Sequence, residues 1–314
     1  MKYFVIALIC ILVLFLLVMI AGAVAFHLFI VRPKKPPKID PNDERRLERE
    51  KIREKNNAYL FSLNPEDVSI KSSNGLQLKG WFLPSKSGSK RFAVCVHGYR
   101  CNGPDEFSHM VPFYHDELDY NLFLPDNRAH GRSEGNYIGF GALDHKDILL
   151  WLKYLIERFG EDIEIILHGI SMGAATVMLT NSADSLPPQV KIIIEDCGYS
   201  SAIEQFTCQA KEMFGLKSRP LIAAMSLVSK LAAGYFFSEA DCVKFMKKAK
   251  RPVLFIHGGD DTFVPTYMVY LLHDACTVPK DLLIVDGAVH AFSYYQAPEL
   301  YQQKVKDFIA THMD

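Results

Sequence analysis

Residues 163–179, IEIILHGISMGAATVML, decide the fold. The run opens on Ile163, Ile165 and Ile166, a β-branched pattern that reads as a strand buried on both faces. It closes on Ala174-Ala175-Thr176-Val177-Met178-Leu179, small and then apolar, which reads as a helix packed on that strand. Between them stands Gly169-Ile170-Ser171-Met172-Gly173, a G-x-S-x-G in the strand–turn–helix setting that the motif requires. So sharp a turn forces the serine into a strained backbone conformation, and glycines on both sides leave room for it. The Ser171 hydroxyl then stands above the sheet, with the positive end of the following helix pointing at it. Ser171 is the candidate nucleophile.

A serine is a weak nucleophile; it needs an oriented base, and the base needs a carboxylate to fix its tautomer. In a parallel sheet both come from loops at the carboxyl ends of later strands. Two such loops carry suitable residues: 257–265, HGGDDTFVP, after a strand at 252–257, and 287–292, GAVHAF, after a strand at 282–285. They supply Asp260, Asp261 and His290, and Asp196, after a strand at 190–194, is a further acid. Earlier in the chain, a strand at 91–96 runs into His97-Gly98-Tyr99. That sequence reads either as a plain glycine turn or as a loop whose Tyr99 N–H joins the Met172 N–H to hold an oxyanion.

The remaining elements fill in an α/β pattern. Strands at 67–72 and 76–83 flank Asn74-Gly75, a strong hairpin signal. A strand at 121–124 leads into PDNRAHGRSEG at 125–135, where Asp126 and Arg128 read as a structural pair and His130 as a poor catalytic candidate. Helices follow at 144–159, 266–275 and 298–312. Residues 199–241 break the strand–helix rhythm with helical, apolar stretches. They read either as a lid, with Met213, Phe214, Met225 and Phe236 lining an acyl pocket, or as a long crossover helix packed by those same residues.

On these motifs the sequence resembles the α/β-hydrolases of the serine aminopeptidase-like, prolyl-oligopeptidase-related bacterial group. The matching residues are His97-Gly98, 126–135, 169–173, 257–265 and His290, covering the chain from Val68 onward. The resemblance implies a mostly parallel sheet with helices on both faces and a triad of Ser171, Asp261 and His290, its H-G-x-x-D pattern selecting Asp261 over Asp260. Ala129 departs from it, standing where the family usually has glycine.

Before the hydrolase region, residues 3–31 carry no Asp, Glu, Lys or Arg. About 20 apolar residues span a bilayer, so 1–31 reads as a transmembrane anchor; the apolar region of a cleaved signal peptide is shorter, although Ala21-Gly22-Ala23 resembles a cleavage site. Arg32, Lys34, Lys35 and Lys38 follow the span and point to a cytoplasmic catalytic part. Residues 32–60 are a proline-stiffened linker and a charged stalk helix, and 61–314 is the catalytic domain with its insertion at 199–241.

The net charge of −1 gives no basic excess for nucleic acid, and seven scattered cysteines, an odd number without a C-x-x-C, argue against a disulfide framework or a zinc site. The expectation is a membrane-anchored serine hydrolase acting on a small or lipid-like carboxylic ester, without metal or cofactor. A peptidase and a thioesterase are the alternatives, and the intact Ser, Asp, His set argues against a non-catalytic scaffold.

Overall fold

The computed structural model describes residues 1–34, 44–215 and 219–313, without the side chains of 44–46 and Phe214. The prolines and lysines of 35–41, and Leu216, lie outside the described residues. The strands are β1 (Glu66–Lys71), β2 (Gln77–Leu83), β3 (Arg91–Val96), β4 (Asn121–Pro125), β5 (Glu164–Ile170), β6 (Val190–Asp196), β7 (Val253–Gly258) and β8 (Lys280–Val285). They form one sheet in the order β1-β2-β4-β3-β5-β6-β7-β8. The β1–β2 and β2–β4 pairs are antiparallel, and every pair from β4–β3 to β7–β8 is parallel. The strand β5, which leads into Ser171, thus runs near the middle of the parallel part, where β-branched side chains are buried on both sides.

The alternation of side chains along each strand divides the core. Val94, Val96, Ile165, Leu167, Ile193 and Phe255 face one layer, which contains α4 (Asp144–Phe159), α5 (Met172–Asn181), α8 (Cys242–Met246) and α9 (Tyr267–Ala275). Ala93, Cys95, Ile166, Ile192, Leu254 and Ile256 face the other, with α3 (Gly103–Phe107), the end of α2 (Glu44–Ser62) and α11 (Pro298–His312). The short α10 (Ser293–Gln296) leads into α11. The stretch 199–241 folds chiefly as two helices, α6 (Ala202–Phe214) and α7 (Arg219–Ala233).

The N-terminal helix α1 (Lys2–Phe29) is long and apolar enough to cross a membrane. Its side chains are exposed from Tyr3 to Leu17, whereas Phe26 and the following Ile30 belong to the core. The end of this segment therefore packs into the same core as the sheet. It packs on α7 at Gly22, where an added Cβ would come within 2.6 Å of the Ala224 Cβ. The chain leaving the helix is fastened to the loop that follows β4: the Ile138 N–H donates to the Ile30 carbonyl and the Arg32 N–H to the Asn136 carbonyl, each at 2.8 Å.

The loop after β4 corrects one expectation. Arg128 is paired with Asp147 of α4 rather than with Asp126, through Nε–Oδ2 and Nη2–Oδ1 bonds of 2.6 Å. Asp126 instead accepts the Gly103 and Arg132 N–H groups and so ties the loop to α3. Between them Ala129 adopts φ +60°, a left-handed conformation that costs an L-residue roughly 1–2 kcal/mol. Glycine loses more freedom on folding, which offsets part of that relief. Ala129→Gly is expected to stabilise the protein by about 0.5–1 kcal/mol, read as a higher Tm. A lower Tm would show that the Ala129 methyl matters more than the backbone strain.

Candidate active site

The site is assembled at the carboxyl end of the parallel strands. Ser171 follows β5 with φ 57° and ψ −115°, and its N–H donates to the Asp196 carbonyl at 2.8 Å. The flanking glycines are needed for space: a Cβ on Gly173 would strike the Val96 carbonyl, and one on Gly169 would strike the Gly173 carbonyl. The turn lifts Ser171 Oγ to 2.9 Å from His290 Nε2, and His290 Nδ1 lies 2.7 Å from Asp261 Oδ2. His290 comes from the loop after β8 and Asp261 from the loop after β7, 119 and 90 residues beyond the serine (290 − 171 and 261 − 171). The structure brings these three candidates together in one hydrogen-bonded line.

Asp261 is held by more than His290. Its Oδ1 accepts the Phe263 and Val264 N–H groups at 3.0 and 2.9 Å, and Oδ2 lies 3.4 Å from His257 Nε2. Burial opposes its ionisation, but the hydrogen bonds from His257 and His290 and the backbone outweigh that and hold its pKa down to about 2. His257 entered the sequence reading only as the first residue of a loop. Its contact with Asp261, four residues on, follows from the way the chain turns after β7, and apolar periodicity carries no signal of it.

The competing acids are placed elsewhere. The Asp260 side chain is exposed. Asp196 lies in a buried network: the Tyr301 hydroxyl bridges its Oδ2 at 2.9 Å and His168 Nε2 at 3.0 Å, and Tyr114 closes on His168 Nδ1 at 2.9 Å. Burial pushes the Asp196 carboxyl up to about 6 and the His168 imidazole down to about 3. His130 is also buried, accepting the Arg100 N–H at Nε2, and burial lowers its pKa to about 3.

The backbone after β3 is organised around one N–H. The Gly98 N–H donates to Glu106 Oε2 at 3.1 Å and the Arg100 N–H to His130, while among the described residues no group accepts from the Tyr99 N–H between them. Met172 opens α5, where first-turn N–H groups have no intrahelical acceptor. The Tyr99 hydroxyl donates to the Phe29 carbonyl at 2.8 Å, which ties this loop to α1.

A cavity of about 640 Å³ opens beside Ser171, within the size range of small-molecule sites. Tyr99, Phe140, Phe206, Met213, Met225 and Phe263 are among its walls. Phe236 does not line it; that ring is 39% exposed and carries the Lys230 ammonium over its face. The Phe214 side chain lies outside the described residues. Sequence reasoning missed the wall formed by α1, where Ala21, Val24, Ala25, Leu28 and Phe29 face the same space. Among the described residues one group offers metal-type ligand atoms close together, Cys197, Asp261 and His290. Two of its members already bond each other, and burial raises the Cys197 thiol pKa well above its ordinary value, so the group suits proton transfer better than cation binding.

A central parallel sheet with two antiparallel strands at one edge, and a serine at a strained strand–helix turn facing a histidine and an acid, define an α/β hydrolase. The chain belongs to the alpha/beta hydrolase family, whose pattern matches residues 93–267. It is similar to YqkD of Bacillus subtilis, 28% identical over 240 residues, covering 76% of this chain and 77% of that one. Among solved structures it is similar to the esterase Pf2001 of Pyrococcus furiosus, with a TM-score of 0.66 and 20% identity, covering 89% of this chain and 98% of that one. Est1E of Butyrivibrio proteoclasticus, solved with ferulic acid bound, gives a TM-score of 0.60 at 19% identity, over 78% and 99% of the two chains.

Proposed function

We propose that this chain is a membrane-anchored serine hydrolase that cleaves carboxylic esters through an acyl-enzyme. The observation that carries the reading is the hydrogen-bonded line from Asp261 through His290 to Ser171 at the edge of the cavity. With Nδ1–H donated to the ionised Asp261, the neutral His290 presents the Nε2 lone pair to the serine hydroxyl. Ser171 Oγ attacks the acyl carbon as His290 takes its proton, and the Tyr99 and Met172 N–H groups stabilise the oxyanion. The imidazolium protonates the departing alcohol. Water, deprotonated by the same histidine, then releases the acid.

The lining favours an acyl chain over a peptide, because the named cavity walls are almost entirely apolar. The exposed helix α1 supports membrane anchoring, and the basic residues after it support a cytoplasmic domain. Each acyl methylene buried is worth about 0.8 kcal/mol, so medium-chain 4-nitrophenyl esters should exceed acetate in kcat/KM by roughly tenfold or more. Met213→Ala and Met225→Ala should flatten that preference before they remove activity. If acetate is the best substrate and both variants change only stability, these residues pack the core and the substrate is small or polar.

A further inference from the structure

The cavity beside Ser171 is built partly from the helix proposed to hold the protein in the membrane. From Lys2 to Ile20, α1 runs about 28 Å at 1.5 Å per residue, close to the thickness of the bilayer hydrocarbon. The turns that follow carry Ala21, Val24, Ala25, Leu28 and Phe29 along the cavity, which Met213 and Met225 also line. The helix is locked in that position. Gly22 sits against Ala224, Arg100 donates to the Leu28 carbonyl, and Arg32 donates to the Ser133 and Gly131 carbonyls at 2.5 and 2.6 Å.

Large apolar side chains of the lining are exposed, Met213 and Phe263 among them, and so are Ile203 on α6 and Leu227 and Leu231 on α7. An exposed apolar surface of this kind, beside a helix of bilayer length, has the composition of a face that rests in the interface. His290 lines a second cavity of about 620 Å³ whose walls are mixed, with Arg49, Arg53, Glu106 and His109 beside Ile52 and Phe292. Ser171 thus lines an apolar space that begins at α1, and its partner His290 lines a more polar one that includes Arg49 and Arg53 of the charged helix α2.

We infer that the substrate is an amphiphilic ester lipid of the bilayer, whose acyl chain passes sideways along α1 into the first cavity while its polar alcohol occupies the second. The inference rests on the serine-hydrolase reading and adds the substrate class and the direction of entry. In the acylation step the ester C–O bond breaks, the acyl group passes to Ser171 Oγ, and the alcohol leaves on the polar side with the proton from His290.

The test uses the full chain reconstituted in phosphatidylcholine vesicles, with 4-nitrophenyl palmitate in the bilayer and 4-nitrophenyl acetate in the water. Ala25→Trp, which fills the α1 wall, should lower the palmitate-to-acetate ratio of kcat/KM at least tenfold. Leu14→Trp, on the exposed part of the same helix, should leave that ratio at the wild-type value. A ratio for Ala25→Trp within a few fold of wild type overturns the inference. A second measurement needs no variant: a hexadecyl fluorophosphonate with a diazirine at the chain end is captured by the wild-type protein in vesicles and irradiated. Crosslinks should fall on residues 21–29 or on α7. Phosphonylated Ser171 with crosslinks only elsewhere overturns the inference and leaves the esterase reading standing. Failure of the wild type to turn over either ester removes that reading, and this inference with it.

Discussion

Ser171→Ala is expected to reduce ester hydrolysis by roughly 10⁴–10⁶-fold while the fold survives. The hydroxyl that the change deletes is the group His290 Nε2 meets at 2.9 Å, and no other hydroxyl stands in that line. In the proposed mechanism, what remains, the Tyr99 and Met172 N–H groups and the cavity, would supply only the residual rate that oxyanion stabilisation and binding give to water attack. The fold is expected to survive because the backbone here is unchanged. Alanine at φ 57° is strained much as serine is, so the backbone cost at this turn is nearly unchanged. Measured Tm within a few degrees of the wild type, beside lost turnover, is the expected pair of results. Turnover comparable to the wild type would remove Ser171 from the mechanism.

Asp261→Asn is expected to lower kcat by about 10⁴-fold, whereas Asp260→Asn should change it only mildly. Asparagine can sit in the same place, but it can present its NH₂ to His290 Nδ1 and so favour the tautomer whose Nε2 carries a proton and cannot accept one. The exposed Asp260 makes no such contact with the imidazole. If Asp260 proves the severe position, the acid has been assigned one residue too far along. The same carboxylate has a consequence for pH. With its folded pKa depressed to about 2, Asp261 contributes stability that is fully present above its unfolded value, about 3.9, and is lost as pH falls toward 2. Equilibrium unfolding of the wild type between pH 5 and 2 should show that loss, and Asp261→Asn should show less of it.

The parts legible in the sequence are those set by local geometry and chain order. Ile165 and Ile166 announce a strand buried on both faces, and Gly169 and Gly173 announce the turn, because each depends on neighbours within a few residues. The His290 and Asp261 loops could be read because a parallel sheet delivers every loop of one kind to the same edge. Partners chosen by tertiary packing were not legible. Arg128 passes over nearby Asp126 for Asp147 on α4, a choice made by where the helix lies. Phe236 has the composition of a pocket residue but is turned toward Lys230, since an apolar side chain does not declare which surface it will meet. The close approach of Gly22 to Ala224 joins residues 202 positions apart (224 − 22), and it makes the end of an apparent anchor into a wall of the cavity.

The claim on which all of this depends is that one serine, activated by its neighbours, forms a covalent intermediate. Treating the reconstituted full-length protein with a fluorophosphonate and mapping the adduct by peptide mass spectrometry tests it most directly. The account predicts a single phosphonylated residue, Ser171, with the adduct strongly reduced in Asp261→Asn. An unmodified Ser171 peptide, or an adduct confined to another serine, would contradict it.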